Sequence, residues 1–343
     1  MASISEKRNA AGQLIGYRAQ IRKAGFPAQS KNFTGRDALA KVNMWVTTTE
    51  AQMVVDTFVD LRQAKAMTVR EALKRYLREI TPTKKGRAQE TARINAWLKD
   101  PIADYSLTNL SGPILAEWIR KQQAAKLSAS TIRNNLCIIG NMYTIAVKKW
   151  GIDIPRNPAR MVQYPKKAAG RDRRLIDDEY DRLVSACLRC DSIYVRLAIV
   201  WAIETAMRQG EILGLTWGDV SIDKRTAHLA ETKNGGSRTV PLSKRALVVL
   251  AEAATAQPDR KPADRIFPLS RDGLYNAYAK AMRRAKIENL TFHDLRHEAT
   301  SRMVENPRLK EAQIMKITGH KDWSMFQRYH QMRVGELADL LDD

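Results

Sequence analysis

Residues 291–305 read TFHDLRHEATSRMVE, residues 316–320 read KITGH and residues 323–330 read WSMFQRYH. Within this run His293 and Arg296 lie three residues apart, His320 follows 24 residues after Arg296, and Tyr329 comes nine residues later. A spacing of three brings two side chains to one side of a helix. Upstream, residues 205–217 (TAMRQGEILGLTW) carry a single arginine, Arg208, in an otherwise apolar helical pattern. Two arginines, two histidines and a tyrosine point to one chemistry if they meet in space. That chemistry is tyrosine attack on a phosphodiester.

The composition fits a polyanionic partner. The 343 residues include 58 Lys and Arg against 37 Asp and Glu, a formal net charge of +21. Such an excess favours nucleic acid through phosphate neutralisation and counterion release, although a solvated basic surface would also carry it. A 44% hydrophobic content and this length predict a globular chain of two or three domains. Cys137, Cys187 and Cys190 are too few and too odd in number for a disulfide framework. Cys187 and Cys190 form a lone CxxC, which reads as core and surface cysteine rather than a metal site. No apolar run reaches membrane-spanning length, so the reading is of a cytoplasmic protein without a membrane partner. Neither a metal nor a cofactor is expected.

Taken in order, the chain predicts a mainly α fold with small β-sheets (α+β). Residues 1–60 read as a small basic module. The stretches GYRAQIRKAG and FPAQSKNFTG form a hairpin, and a helix follows with Ala38, Val42 and Trp45 at helical spacing. Arg18, Arg22, Lys23 and Lys31 fall on the two expected strands, where a small sheet could lie in a DNA groove; a capping subdomain is the other reading. Residues 67–150 predict about four helices, opened by a capping box from Thr68 to Glu71. Lys84, Lys85, Arg87 and Arg133 on their loops and polar faces are candidate phosphate contacts. Residues 151–170 hold three prolines without periodicity and read as a linker. Residues 171–343 form the last unit, with buried helices, a hairpin signalled by Asn234-Gly235, and a closing helix with Val334, Leu337, Ala338 and Leu341 on one face.

Each candidate site residue has a chemical reason and a plainer one. Arg208 and Arg296 could clamp two phosphate oxygens with planar charged forks; an arginine on an apolar helix could equally pair with Glu211 or Glu204. His293 and His320 could donate hydrogen bonds or move protons. Lys233, at the expected hairpin tip, could protonate the leaving oxygen. Tyr329 could become the covalent nucleophile, or simply pack near the C-terminus. From the residues alone both readings of the cluster stand.

The segments TAMRQGEILGLTW, ETKNGGSRTVPL, FHDLRHEATSRM, ITGHKDWSM and QRYH resemble, in order, the boxes of the tyrosine recombinases (the phage integrase family), the first two most like those of shufflon-type and integrative-element recombinases. The resemblance covers 171–343. It implies that Arg208, Lys233, His293, Arg296 and His320 surround a scissile phosphate and that Tyr329 is the nucleophile, with Glu211 as an acidic buttress. It implies a site-specific recombinase, bacterial or phage-encoded and acting at the nucleoid. Such an enzyme moves or inverts a mobile element through 3′-phosphotyrosine and a Holliday junction, without metal or ATP. Residues 67–150 would be the core-binding domain and 1–60 an arm-type module. The partners implied are double-stranded DNA at specific sites and a homo-tetramer formed by exchange of the C-terminal tail, with accessory DNA-bending or directionality proteins as further candidates. A type IB topoisomerase and a catalytically idle DNA-binding regulator are the competing readings.

Overall fold

A computed structural model of the protein describes residues 2–55, 58–167, 170–230 and 236–329. The chain divides into two compact units, Met1–Ala169 and Gly170–Asp343. Their make-up is the expected one, mostly helices with small antiparallel sheets.

The first unit opens with a three-stranded antiparallel sheet in the order β1 (Ala2–Arg8), β2 (Leu14–Ile21), β3 (Gln29–Thr34). The sequence reading anticipated two of these strands. β1, ASISEKR, escapes it because no residue of the strand is fully buried, so no alternation marks an inner face. Its register comes from backbone pairing to β2, from Ala2↔Ile21 to Arg8↔Leu14. The central strand buries Ala19 and Ile21, two residues apart on one face. At Gly16 the backbones approach so closely that an added Cβ would lie 2.2 Å from the Phe33 carbonyl oxygen. Helix α1 (Ala38–Val54) packs on the sheet, burying Ala38, Val42 and Met53 and setting Trp45 against Phe33 with ring centroids 5.9 Å apart.

After the short α2 (Arg62–Ala66) come α3 (Val69–Glu79), α4 (Arg87–Lys99), α5 (Gly112–Ala124) and α6 (Ala129–Lys148). The Thr68 box is present. Its hydroxyl accepts from the Glu71 amide at 3.2 Å, and its own amide donates to the Glu71 carboxylate at 2.7 Å. Trp97 and Trp118 stack with centroids 4.4 Å apart. Each indole satisfies its N–H, Trp97 to the Asn135 carbonyl and Trp118 to the Asp100 carboxylate. The segment read as a linker lies against this helical core for much of its length. Ile152 and Ala159 are buried in it, and Asn157 donates to the Gly140 carbonyl at 2.9 Å. Prolines remove the periodicity there without removing the contacts.

The second unit holds α7 (Glu179–Cys187), α8 (Ile193–Thr205), α9 (Gln209–Gly214), β4 (Val220–Ser221), β5 (Thr226–Leu229), β6 (Arg238–Pro241), α10 (Lys244–Thr255), α11 (Arg271–Arg284), α12 (Asp294–Val304), α13 (Glu311–Thr318) and α14 (Trp323–Phe326). α8 is apolar over most of its surface, as suits a helix at the centre of a core, with Arg196 and Glu204 as its charged exceptions. It buries nine residues, among them Trp201, which meets Phe267 at 5.7 Å. β5 and β6 pair antiparallel from Thr226↔Pro241 to Leu229↔Arg238; the anticipated Asn234-Gly235 turn lies outside the described residues, as does the amphipathic stretch with Val334, Leu337, Ala338 and Leu341. Cys187 is buried, and burial pushes its thiol up to about 12. No helix among the described residues is long and apolar enough to cross a membrane.

Of three arginines at the start of this unit, two tie it to α12 and one to α7. Arg171 reaches Asp294 at 2.9 Å, Arg173 reaches Glu179 at 2.6 Å, and Arg174 bridges Glu298 and Glu305. Glu298 also accepts from the Leu175 amide and from Arg302. Burial works against the Glu298 carboxylate, but these donors outweigh it and hold its pKa below the usual range.

Thr68→Ala removes the hydroxyl half of the capping box and leaves the backbone amide on the Glu71 carboxylate. The first unit should lose about 1 kcal/mol, read as a lower denaturant midpoint for its unfolding with an unchanged slope.

Candidate active site

The site is assembled from four separated segments. The first is the break between α8 and α9. Ala206 there takes the left-handed conformation, φ 51°, so the chain turns and Arg208 emerges at the head of α9. This corrects the sequence reading, which placed Arg208 within a helix. At that position Arg208 donates to the Glu211 carboxylate at 2.8 Å, while its backbone amide donates to the same group at 2.8 Å. Glu204, the alternative partner, is taken by the Ser243 hydroxyl instead.

The second segment is β6. Arg238 lies on the same strand face as buried Val240. It grips Glu211 with two hydrogen bonds, at 2.9 and 2.6 Å, and donates through Nε to the Ile317 carbonyl at 3.1 Å. Glu211 therefore serves two guanidiniums at once, with side chains only 8% exposed on both sides of the Arg238 pair. Burial disfavours the carboxylate, yet Arg238 and Arg208 outweigh that and hold its pKa down to about 2.

The third segment is the start of α12. Asp294 accepts from the Thr291 amide at 2.7 Å and places negative charge in the first turn of the helix, where its dipole favours it. Arg296, one half-turn on, is 4% exposed. Its guanidinium donates to the Ala206 carbonyl and, at 2.6 Å, to the Thr318 carbonyl, so one side chain fastens the α8–α9 break to the end of α13. Burial and the neighbouring charge of Arg208 pull Arg296 down to about 10, where it is still a cation at neutral pH.

The fourth segment runs from the end of α13 to Tyr329. α13 stops at Gly319, φ 73°, where an added Cβ would lie 3.2 Å from the Arg238 side chain. That stop sets His320, which shares a 2.7 Å hydrogen bond between Nδ1 and the Thr318 hydroxyl, 5.7 Å from the Tyr329 ring. Tyr329 closes the cluster, with its hydroxyl 2.6 Å from Nδ1 of His297 and its ring 5.8 Å from Phe326. His293 stands T-shaped to His297 at 5.0 Å.

Arg208, His293, Arg296, His320 and Tyr329 thus come together, while Lys233 lies outside the described residues. Sequence reasoning passed over Arg238 and His297. Both carried a signal: Arg238 is two residues from an inward-facing valine on a strand, and His297 is four residues after His293 on a helix. In electrostatic terms the arrangement is short of negative charge. Among the described residues the guanidiniums of Arg208, Arg238 and Arg296 cluster around one carboxylate, Glu211. A partly desolvated group of fixed donors of this kind suits an oxyanion.

The candidate DNA contacts divide. Arg18, Arg22, Lys31, Lys85 and Arg87 are exposed. Lys23 donates to the Met53 carbonyl, Lys84 pairs with Glu90 and Tyr76, and Arg133 donates to the Pro165 carbonyl. Arg22 and Lys23 fall beyond the end of β2. Arg18 pairs with Asn32 while Lys31 pairs with Ala19, so these two point from opposite sheet faces.

Residues 173–336 match the model of the Phage integrase family. The chain is 35% identical over 285 residues to the shufflon-specific DNA recombinase of Escherichia coli, covering 81% of this chain and 72% of that protein. A Haemophilus influenzae protein named as an integrase/recombinase is 35% identical over 278 residues, covering 79% of this chain and 89% of that one. The chain belongs to the phage integrase family. It is a tyrosine recombinase, an enzyme of site-specific DNA recombination. Its fold matches that of a lambda integrase tetramer bound to a Holliday junction, with a TM-score of 0.62 and 18% identity over 92% of this chain and 95% of that one. In this recombinase Arg208, Arg238 and Arg296 come to the arginine cluster from three of the site's segments.

The shared carboxylate gives a pH test. Because the Glu211 pKa is lowered on folding, its contribution is complete above the unfolded value of 4.5 and fades as pH falls toward about 2. Glu211→Gln should cost about 3 kcal/mol at neutral pH, since it leaves buried guanidiniums uncompensated. The gap from wild type should narrow in denaturation curves taken from about pH 5 down to about pH 3.

Proposed function

We propose that Tyr329 attacks a DNA phosphodiester to give a 3′-phosphotyrosyl intermediate and a free 5′-hydroxyl. The observation that carries this reading is that the Tyr329 hydroxyl lies beside a cluster in which Arg208, Arg238 and Arg296 outnumber their one carboxylate. Arg208 and Arg296 hold the non-bridging oxygens, with Arg238 and Glu211 fixing their geometry. His293 and His320 flank the phosphate as donors, and Lys233 protonates the leaving 5′-oxygen. The phosphotyrosine retains the energy of the broken bond, so a 5′-hydroxyl from a partner strand can reverse the step without ATP.

Exchange between two duplexes then passes through a Holliday junction. The lambda integrase of like fold is a tetramer on such a junction, which supports a homo-tetramer here, joined by tail exchange through the segment after Tyr329. Residues 171–343 act as the catalytic domain, 67–150 as a core-binding domain, 151–170 as the connection and 1–60 as an arm-type module. Arg18, Arg22, Lys31, Lys85 and Arg87, being exposed, are the better DNA contacts of the original set. Similarity to a shufflon-specific recombinase favours recombination of a mobile or invertible element over the topoisomerase and regulator readings. The setting is the bacterial cytoplasm and nucleoid, with accessory DNA-bending or directionality proteins choosing the outcome.

Duplexes drawn from the DNA flanking the reading frame, nicked just downstream of each trial cleavage point, test this. The full chain should form a covalent protein–DNA band on a subset of them, and Tyr329→Phe should form none while still shifting the same duplexes. A covalent band undiminished by Tyr329→Phe would refute the assignment.

A further inference from the structure

His297 belongs to none of the roles assigned so far, yet its ring nitrogen Nδ1 lies 2.6 Å from the hydroxyl of Tyr329. The two rings are tilted by 34° with centroids 5.6 Å apart, and His297 is only 8% exposed. Its backbone sits in the first turns of α12, between Asp294 and Glu298, whose carboxylates are both tied to the arginines at the start of the unit. The imidazole is therefore held in place from beneath rather than carried on a loop.

The chemistry requires such a group. A tyrosine with a pKa near 10 is almost wholly protonated at neutral pH, and its oxygen cannot bond to phosphorus and keep the proton. The arginines cannot accept it, since a guanidinium stays protonated in a protein. Glu211 is a poor acceptor, with its pKa held down to about 2 and both oxygens taken by Arg208 and Arg238. A neutral imidazole, with an ordinary pKa of about 6.5, is a base of suitable strength near neutral pH.

Building on the reading of Tyr329 as nucleophile, we propose that His297 is the base that takes the phenolic proton. As the Tyr329 oxygen bonds to phosphorus, its proton passes to Nδ1 of His297. The bond from phosphorus to the 5′-oxygen breaks, and that oxygen takes a proton from the general acid. On rejoining, the attacking 5′-hydroxyl gives its proton back to the acid's conjugate base, and His297 returns its own to the departing phenolate. The cycle consumes no proton and involves no oxidation. In its neutral form His297 carries its hydrogen on Nε2 and receives the phenol's hydrogen bond at Nδ1, so the nucleophile is already aimed and paired with its base.

Single-turnover formation of the covalent complex on a nicked duplex tests this with three variants of the full chain. His297→Asn keeps a hydrogen-bonding atom near the position of Nδ1 but cannot act as a base. It should shift DNA like wild type and form the complex at least about 100-fold more slowly. His297→Ala should be similarly slow and should be accelerated by added imidazole, and more by the more basic 4-methylimidazole. Tyr329→Phe should form no complex. Wild-type rates in His297→Asn, or a slow His297→Ala that ignores imidazole, would overturn the role of His297 while leaving Tyr329 as nucleophile. Failure of the wild-type chain to form any adduct would instead remove the nucleophile reading, and this proposal with it.

Discussion

The carboxylate of Glu211 is the interaction on which the site depends. It receives Arg208 from the head of α9 and Arg238 from β6, two segments with no other reason to bring their cations together. Without it, adjacent guanidiniums in a partly dry setting would repel one another and leave the cluster. With it, the cluster is held but remains short of negative charge, because Arg296 adds a further cation whose own bonds go to backbone carbonyls. The deficit is what a phosphate would fill.

Rigidity comes from a second layer of ion pairs on the far side of α12. Arg171 and Arg174 fix the segment before α7 to Asp294 and Glu298, Arg173 ties it to Glu179 of α7, and Glu298 is further bound by Arg302. These bonds set the rotation of α12 about its axis. That rotation decides whether His293, Arg296 and His297 point toward Tyr329. Arg296 then passes the constraint on, since its two carbonyl acceptors lie at the α8–α9 break and at the end of α13. Arg238 packs against that end beside Gly319, so sheet, helix start and helix end lock around one point.

Much of this was legible in the sequence because it rests on local rules. The helices of residues 67–150 follow from apolar periodicity and from the Thr68 box, and the grouping of Arg208, His293, Arg296, His320 and Tyr329 from the family's boxes. What was not legible depends on tertiary contacts. β1 has no buried face to reveal it and exists through its pairing with β2. Arg208 looked helical because the surrounding residues are apolar, whereas the left-handed turn at Ala206 is imposed by the packing of the break. Lys84 and Arg133 looked like free cations, and only the fold shows Glu90 beside the one and the Pro165 carbonyl beside the other. His297 carries no role in the sequence pattern. Its meaning lies in a hydrogen bond across 32 residues.

The most direct measurement is the chemical identity of the protein–DNA linkage. Protease and nuclease digestion of the trapped complex, followed by mass spectrometry, should find a single modified peptide bearing a 3′-nucleotide phosphate on Tyr329. An adduct on another tyrosine, or a linkage to a 5′-phosphate, would contradict the assembly of this site around Tyr329.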